Sequence, residues 1–409
     1  MTVDLVVDSA AEVLVGPEET ALEDATLVVD EGVVVEIGPA DEVRREYPPE
    51  NADEFVNASG KAVIPGFVDA HTHALFAGDR SDEFEAKLQG RTYQEILAAG
   101  GGIHRTVEAV RAASRTTLVS NLLRELDVML AHGTTTVEVK TGYGLDRETE
   151  LLMLEVIAEA DARHPIDVIP TFLGAHAVPE EMGADEYVEH LVADVIPAVA
   201  DQGIARFNDV FCDEGAFTVE QSRRVLEAGL EYDLTPKIHA EELVHTGAAR
   251  LAADLGAASA DHLLQATEED VEALFAAGVT PVLLPGTAFG LDATYPDAQR
   301  FLQLAREADA GPAPIAVASD FNPNCYSQSM GFATTLACVG TKLAPREAIV
   351  AATKGGANAL DLPEAVGTLR AGAPADLAIV DAPSAVHVPY NFGVNTVATV
   401  VKDGEVVHG

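Results

Sequence analysis

The chain has 409 residues, of which 48% are hydrophobic, enough to build one large domain or two unequal ones around a substantial core. Its 67 acidic residues outnumber its 25 basic ones and give a formal net charge of -42, so its surface repels nucleic acid and anionic membranes. Its three cysteines are odd in number and widely spaced, which indicates neither a disulfide framework nor a cysteine-rich zinc site.

Short β-strands separated by turn residues are predicted at both ends of the chain. Near the start, residues 26–29 and 32–38 are rich in valine, and near the end residues 375–380 form a similar run. Two β-rich ends that flank a different middle indicate one small domain built from both termini. We therefore predict a composite β-sandwich formed by residues 1–62 and 366–409.

The middle of the chain, residues 63–365, alternates apolar runs with amphipathic segments, a pattern typical of βα units around a parallel sheet. Helical segments of this kind cover residues 147–164, 219–232 and 268–277. Eight strand candidates each end in polar residues, near positions 71–73, 140–143, 174–176, 211–214, 239–242, 261–262, 285–287 and 320–322. Eight such units fit a closed (β/α)8 barrel of about 250 residues, with its active site at the carboxyl ends of the strands.

A histidine pair ends the first strand of this predicted barrel. Residues 63–70 form an apolar run that leads into His71 and His73, and side chains two apart on a strand point the same way. Taken alone, the pair is equally compatible with two hydrogen-bonded loop histidines. Two further strand ends favour a metal site, because His239 ends the fifth strand and Asp320 ends the eighth.

Three imidazoles and one carboxylate suit Zn²⁺, or iron (Fe²⁺ or Fe³⁺) as the near alternative, and leave room for a water molecule. Such an ion lowers the pKa of its water to about 7 and supplies hydroxide at neutral pH. A two-metal centre would need a bridging carboxylate or modified lysine near the end of the fourth strand, and residues 207–212 contain no lysine. The sequence therefore predicts one metal ion that activates water.

The stretch from Pro65 to His73, inside a barrel with a composite β-domain, resembles the amidohydrolase superfamily. Longer strings are similar to one family within it, the imidazolonepropionases, at residues 87–90, 100–104, 138–144, 171–179, 261–263 and 284–287. The resemblance extends over nearly the whole chain. It implies that water opens the ring of 4-imidazolone-5-propanoate to give N-formimidoyl-L-glutamate, a step of histidine breakdown.

The resemblance implies the same four metal ligands that the strand ends indicate. It also implies a set of substrate contacts, namely Arg80, Tyr143, His176, Glu242, Asn322, Asn324 and Cys325. The chain departs from the family in the last of these, because the family usually continues Asn-Pro with glycine and then serine or threonine. A main-chain contact at Asn324 would survive this change, whereas a hydroxyl contact at Cys325 would not.

Three acidic or basic groups are expected to carry the chemistry. Hydrolysis of a cyclic amide needs a nucleophile, a partner for the carbonyl oxygen and an acid for the leaving nitrogen. We expect the water to lose its proton to Glu242 or Asp320, and His262 to steady the developing oxyanion. Glu242 follows His239 by three residues, although an ordinary surface acid would show the same spacing.

The remaining pocket residues are expected to recognise the substrate. Arg80 is suited to hold the propanoate carboxylate through a bidentate pair, with a surface ion pair as the alternative. Tyr143 and His176 are expected to stack on the ring or to bond to it; a core tyrosine and a histidine bonded to a carbonyl are the plainer interpretations. The glycines before His104 suit either a mobile loop or a tight helix entry.

Two other functions stay open at this point. An amidohydrolase acting on guanine or cytosine would keep the metal ligands, although those rings have no carboxylate for Arg80 to hold. A metal-binding barrel without catalysis would need a disabled water position, whereas Glu242, His262 and Asp320 are all in place.

The acidity itself is interpreted as adaptation to high salt rather than as function, because so many like charges repel one another unless salt screens them. No run approaches the roughly 20 consecutive apolar residues of a membrane span, and a basic segment followed by an apolar signal core is missing at the start. The expectation is a cytoplasmic enzyme with a small-molecule substrate, without nucleic-acid or membrane partners, and with a homodimer left open.

Overall fold

Strands and helices alternate through the middle of the chain, and strands predominate at its ends. The computed structural model describes residues 2–17, 20–91, 95 and 100–409. The strands are β1 (Val3–Val13), β2 (Leu22–Asp30), β3 (Val33–Pro39), β4 (Ala52–Asn57), β5 (Ala62–Pro65), β6 (Phe67–Asp69), β7 (Thr134–Lys140), β8 (Asp167–Ala175), β9 (Phe207–Cys212), β10 (Thr235–Ala240), β11 (Ser259–His262), β12 (Thr280–Leu283), β13 (Ala316–Val317), β14 (Leu377–Val380), β15 (Val397–Lys402) and β16 (Glu405–His408).

The α-helices are α1 (Ala40–Glu46), α2 (Ser81–Leu88), α3 (Ile103–Ala112), α4 (Arg115–Ala131), α5 (Arg147–Asp161), α6 (Ala184–His190), α7 (Ile196–Gln202), α8 (Val219–Leu230), α9 (Ala248–Leu255), α10 (Glu268–Ala277), α11 (Pro285–Leu291), α12 (Ala298–Glu307), α13 (Met330–Gly340), α14 (Pro345–Val350), α15 (Gly356–Ala359) and α16 (His387–Tyr390). Shorter helical turns cover Pro49–Asn51, Leu191–Val195 and Ala351–Gly355. None of the described helices is both long and apolar enough to cross a membrane.

Both termini contribute to one mixed sheet, as predicted. Its strand order is β16-β15-β14-β5-β1-β2-β3, and β4 pairs with β1. Along β1, Leu5 and Val7 pack into one cluster while Val6 packs on the opposite face against Val43 of α1. Because both faces of the strand are covered here, Leu5, Val6 and Val7 are consecutive apolar residues and do not alternate with polar ones. The domain boundaries at 62/63 and 365/366 remain a prediction.

The other sheet contains β6 to β13 in consecutive order, each pair parallel, which is the predicted (β/α)8 barrel. A parallel bridge between Thr72 and Phe321 brings the first and eighth strands together and nearly closes it. The three amphipathic segments predicted from the sequence form α5, α8 and α10. The glycines at 100–102 lead directly into α3, whose second residue is His104.

Two strands end earlier than the sequence indicated. Strand β6 ends at Asp69 and β13 at Val317, so His71, His73 and Asp320 lie on the segments just beyond. In the segment after β13, Asp320 has a φ of 51° and therefore lies outside the extended conformation of a strand. Its amide still donates to the carbonyl oxygen of His71 over 3.1 Å, which holds the two segments side by side.

Two adjacent glycines allow a helical segment to pack directly on the barrel. A Cβ atom at Gly355 would collide with the carbonyl oxygen of Ile315, and one at Gly356 with the carbonyl oxygen of Val68. Both neighbours are backbone atoms of the segments that hold the first and eighth strands, so they have little freedom to move aside. Close packing of the helix therefore depends on the absence of these two side chains.

We predict that Gly356→Ala lowers the free energy of unfolding by about 1–3 kcal/mol, because an added methyl group overpacks a backbone contact. Thermal unfolding followed by circular dichroism measures the effect. Gly290→Ala is the matched control, since Gly290 also lies in a helix and its Cβ position meets no atom within 4 Å. Equal unfolding temperatures for the two variants would contradict the packing argument.

Candidate active site

Four histidine rings from different strands meet at the carboxyl end of the barrel. His71 and His73 follow β6, His239 lies in β10 and His262 ends β11, and each is at most 3% exposed. The ring centroids of His71 and His239 are 4.5 Å apart, and those of His239 and His262 are 5.2 Å apart. Parallel strands bring their ends to one edge of the barrel, which explains why residues far apart in sequence meet here.

Three of these rings and one carboxylate point polar atoms at a common space. The Nε2 atoms of His73 and His239 lie 3.4 Å apart. The Oδ1 atom of Asp320 is 3.5 Å from Nε2 of His71 and 3.6 Å from Nε2 of His73. Atoms bound to one tetrahedral ion at 2.0–2.1 Å are about 3.4 Å from one another.

The unsatisfied polar atoms at this point fit a cation. Among the described residues, neither Nε2 of His71 nor Oδ1 of Asp320 has a hydrogen-bond partner, although both atoms are buried. A buried nitrogen lone pair and a buried carboxylate oxygen are costly without a partner. The donor set therefore fits a single divalent metal ion.

Carboxylates hold the far sides of two of these rings. Nδ1 of His71 lies 2.6 Å from Oδ2 of Asp261, and Nδ1 of His239 lies 3.2 Å from Oδ2 of Asp209. A carboxylate that accepts the Nδ1 proton fixes the tautomer in which Nε2 carries a free lone pair for a metal. The sequence analysis missed Asp209 and Asp261, although a charged residue inside an otherwise apolar barrel strand was the available signal.

Burial keeps the rings of His71 and His73 neutral. Burial, followed by the nearby Lys140 ammonium, lowers the pKa of His71 well below its usual value, and burial together with His176 does the same to the pKa of His73. Neutral imidazole is the form that binds a metal, so these rings are ready to do so at neutral pH.

The backbone of the site loops is unusual. Asp320, Glu241, His262 and Leu263 have φ values of 51°, 55°, 79° and 58°. Residues other than glycine rarely adopt this left-handed conformation, and such positions cluster at functional sites. The strain lies on the loops after the fifth, sixth and eighth barrel strands, where the polar atoms converge.

An acid–base pair lies beside the metal ligands. Oε2 of Glu242 is 3.6 Å from Nε2 of His262, and neither ring nitrogen of His262 has a hydrogen-bond partner among the described residues. Burial and the charge of Asp320 raise the pKa of Glu242 to about 8. Asp213, which the sequence analysis missed, fixes this loop because its Oδ2 accepts the amides of Glu242 and Leu243 over 2.9 and 2.8 Å.

Aromatic rings form one wall of the site. His176 stacks on His73 with 4.8 Å between centroids and 18° between planes, and Tyr143 lies 5.3 Å from His176. Nδ1 of His176 is 3.1 Å from the carbonyl oxygen of Gly142, so this histidine is bonded to a backbone carbonyl, as the plainer interpretation of the sequence expected. Its second ring nitrogen, Nε2, is not part of this bond. Gly142 has a φ of 102°, and a Cβ there would be 2.9 Å from that ring.

Arg80 is held by an acid that the sequence analysis did not identify. Its Nε and Nη2 atoms donate to Oε2 of Glu83 over 3.0 and 2.9 Å, and only 9% of its side chain is exposed. Oε1 of Glu83 accepts the amide of Gly102 over 3.0 Å, which ties the start of α3 to the arginine. Burial raises the pKa of Tyr143, and the positive charge of Arg80 opposes this rise.

The loop after β13 is held by its own side chains. Oδ1 of Asn322 accepts the amides of Asn324 and Cys325 over 2.7 and 3.0 Å, and its Nδ2 donates to the carbonyl oxygen of Asp320 over 2.8 Å. The backbone amide of Asn324 therefore already donates its hydrogen bond to Asn322. The side-chain oxygen of Asn324 accepts a hydrogen bond from Lys87. Substrate contacts by these three loop residues remain predictions; Asn322 is bonded to the backbone of Asp320, and Asn324 and Cys325 are bonded to Asn322.

The comparisons with known proteins agree with this geometry. A sequence profile described as the amidohydrolase family matches residues 62–407. The chain belongs to this family. Its fold also resembles an adenosine deaminase from Xanthomonas campestris with bound zinc (TM-score 0.71, 20% identity, 100% of this chain and 93% of that one) and ochratoxinase from A. niger (TM-score 0.71, 18% identity, 100% and 96%). At these identities the likeness concerns the fold alone.

Relatives that match nearly the whole chain indicate which amidohydrolase family it belongs to. An imidazolonepropionase from Haloarcula marismortui is 61% identical over 99% of this chain and 96% of its own length. Imidazolonepropionases from Halobacterium salinarum and Geobacillus kaustophilus are 59% and 45% identical, and they cover 100% and 94% of this chain and 99% and 90% of their own lengths. Within the amidohydrolases, the chain is therefore a member of the imidazolonepropionase family.

We predict that His239→Ala loses stoichiometric metal, because one ligand disappears and Asp209 is left without the ring it orients. Elemental analysis of the purified protein measures this directly. His387→Ala is the control, since His387 lies in α16 and bonds to the carbonyl oxygen of Ser384. Full metal content in the His239 variant would refute the ligand assignment.

Proposed function

We propose that this chain hydrolyses 4-imidazolone-5-propanoate to N-formimidoyl-L-glutamate in histidine degradation. The observation that carries the proposal is the convergence of His71, His73, His239 and Asp320 on one space at the end of the barrel, with the almost buried Arg80 on the segment that follows the histidine pair. The names of relatives at 45–61% identity support this substrate.

The metal ligands in this proposal are His71, His73, His239 and Asp320, and the ion is Zn²⁺ or iron. When bound, such an ion supplies a water molecule whose pKa is lowered to about 7, and it polarises the carbonyl group of the substrate. The neutral state of the buried rings and the convergence of their Nε2 atoms support this ligand set.

Glu242 is the proposed general base. Its carboxylate takes the proton of the attacking water, and the water oxygen forms a bond to the ring carbonyl carbon. We favour Glu242 over Asp320 because Oδ2 of Asp320 accepts a hydrogen bond from Thr287 while Oδ1 faces the ligand nitrogens. In the proposed centre Oδ1 of Asp320 would bind the cation, which makes this carboxylate a weaker base than that of Glu242.

His262 is proposed to donate a hydrogen bond to the oxygen on which negative charge develops. Burial lowers the pKa of His262 well below its usual value, so the ring is neutral and carries one N–H. The bond between the carbonyl carbon and the ring nitrogen then breaks, and Glu242 returns its proton to that nitrogen. The carbonyl carbon ends as a carboxylic acid, which releases its proton to solvent and becomes a carboxylate, and the nitrogen ends in the formimidoyl group.

The negative charge of the chain is proposed to adapt it to high salt. Sixty-seven acidic residues against 25 basic ones repel one another unless ions screen them. Halophilic relatives at 61% and 59% identity support this interpretation. Assays of the enzyme therefore need a series of KCl concentrations.

Loss of the imidazolone absorbance, followed with the metal-loaded enzyme across that series, tests the proposed reaction. We expect turnover of the imidazolone and none of guanine or cytosine, which offer no carboxylate to Arg80. Turnover of guanine or cytosine without turnover of the imidazolone would replace the proposed substrate. Stoichiometric metal without hydrolysis of any of these rings would refute the enzymatic function.

We predict that Arg80→Met raises KM for the imidazolone roughly 10- to 100-fold, as expected for the loss of charged hydrogen bonds to a carboxylate. Steady-state kinetics separates this effect from kcat, which should change less. Arg115→Met is the control, because Arg115 is half exposed and pairs with Glu155 and Glu159 on α5. An unchanged KM in the Arg80 variant would show that another group binds the carboxylate.

We predict that kcat/KM rises with pH along an acid limb that belongs to Glu242. A base must be ionised to accept a proton, so activity falls as pH drops through its pKa, which is about 8 before the cation lowers it. Glu242→Gln should lower kcat about 10²- to 10⁴-fold and remove the limb. The exposed Glu189→Gln is the control. A limb that persists in Glu242→Gln would assign the base to another residue.

A further inference from the structure

A group of fully buried charges lies inside the barrel behind the metal ligands. Its members, here called the interior cluster, are Glu138, Lys140, Asp209, Lys237 and Asp261, and none of their side chains is exposed. They come from the second, fourth, fifth and sixth barrel strands. Branched apolar residues usually fill this position in a barrel, and charged side chains are almost never fully buried unless paired.

Lys140 links three carboxylates of the interior cluster. Its Nζ lies 2.7 Å from Oε2 of Glu138, 2.8 Å from Oδ2 of Asp209 and 3.8 Å from Oδ2 of Asp261. Its backbone amide also donates to the carbonyl oxygen of Thr72 over 3.0 Å, between the two histidines that follow β6. One lysine is thus in contact with both acids that hold the ligand rings.

Lys237 occupies the other side of the interior cluster. Its Nζ donates to the carbonyl oxygen of Ala70 over 3.1 Å and lies 3.2 Å from Oε1 of Glu138 and 4.0 Å from Oδ2 of Asp261. Ala70 directly precedes His71, and Lys237 lies two residues before His239 on the same strand. The ammonium group of Lys237 thus contacts the residue before His71, and its backbone belongs to the strand that contains His239.

We propose that Lys140 and Lys237 are positioning residues for the metal centre, acting through Asp209 and Asp261 on the rings of His239 and His71. The proposal rests on the metal site argued above. Each acid must present one oxygen to a ring Nδ1–H in a fixed direction, and an ammonium group with several short contacts restricts how the carboxylate can turn.

Stability alone does not account for the interior cluster. Replacing buried ion pairs by apolar residues of similar volume is often neutral or stabilising, because burial removes the hydration of every charge. Two acids of the interior cluster contact the proposed ligand rings. Asp261 lies 2.6 Å from His71, and Asp209 lies 3.2 Å from His239. Orientation of the rings is the benefit that an apolar core would not provide.

A positioning role and a simple charge effect predict opposite changes in metal affinity when either lysine is removed. A lysine that acted only as a nearby positive charge would repel a metal cation, so its removal would tighten metal binding. A lysine that positions the acids and rings would, when removed, let the ligand nitrogens move apart and weaken binding. Metal affinity therefore distinguishes the two, independently of turnover.

The test is the affinity of the purified apoprotein for Zn²⁺, measured by competition with a chromophoric chelator, in wild type, Lys140→Met and Lys237→Met. We expect each variant to bind Zn²⁺ about 10- to 100-fold more weakly, the usual effect of losing groups that orient metal ligands. The visible absorption of the Co²⁺-loaded protein should change as well, because it reports ligand geometry.

Lys402→Met is the matched control. Lys402 is also a nearly buried lysine with three carboxylate contacts, to Asp376 at 3.2 Å, Asp403 at 2.9 Å and Asp167 at 3.2 Å, but it lies in β15 of the small sheet. Its replacement should lower the unfolding temperature without changing the affinity for Zn²⁺. A general loss of stability is thereby separated from an effect on the metal centre.

Unchanged or tighter Zn²⁺ binding in both lysine variants would overturn the proposal. If Lys140→Met does not fold, the double variant Glu138→Gln/Lys140→Met removes one charge of each sign and tests the same contact with Asp209. If the wild-type protein itself binds no Zn²⁺ or Fe²⁺, the failure lies in the proposed metal site and thus in the proposed function. Wild-type binding with unaffected variants would reject the positioning role alone.

Discussion

The central constraint in this molecule is the approach of two imidazole nitrogens, on His73 and His239, to within 3.4 Å of each other inside a closed protein interior. Ring nitrogens this close either share a hydrogen bond or bind one cation, and the buried Nε2 of His71 and Oδ1 of Asp320, which lack hydrogen-bond partners among the described residues, favour the cation. The barrel brings the strand ends together, Asp209 turns one ring, and the lysines behind it restrain the acid. The fold therefore holds buried polar atoms, which are costly without a partner, in a geometry that a bound metal ion would stabilise.

Much of this arrangement is predictable from the sequence, because strand ends in a parallel barrel converge whatever their separation along the chain. That rule identifies His71, His239 and Asp320 as neighbours without any coordinates. It does not find Asp209 or Asp261, since their contacts depend on the register between strands, and a shift of one residue would point each side chain away from the interior. The left-handed conformation of Asp320 cannot be predicted from the sequence either, because an aspartate is compatible with many backbone conformations.

The mouth of the pocket depends on local contacts that composition does not reveal. Glu83 holds Arg80 and the entry to α3 together, so the helix after the histidine pair and the glycine segment behave as one structural unit. From the same helix, Lys87 donates a hydrogen bond to the side chain of Asn324, where the family resemblance leads one to expect a glycine. At this part of the rim the chain therefore has a side-chain contact that a glycine at position 324 could not make.

The shared sheet also affects how the protein is made. Strand β5 runs into β6 with only Gly66 between them, and the amide of Gly66 donates to the carbonyl oxygen of Asp376 over 2.9 Å. The antiparallel partner of β5 is β14, which leaves the ribosome long after the first barrel strand has been synthesised. Until then the strand that leads to His71 and His73 lacks one of its two neighbours in the sheet. A growing chain consequently pairs the strand before its proposed metal-binding segment with β14 only after all eight barrel strands have been synthesised.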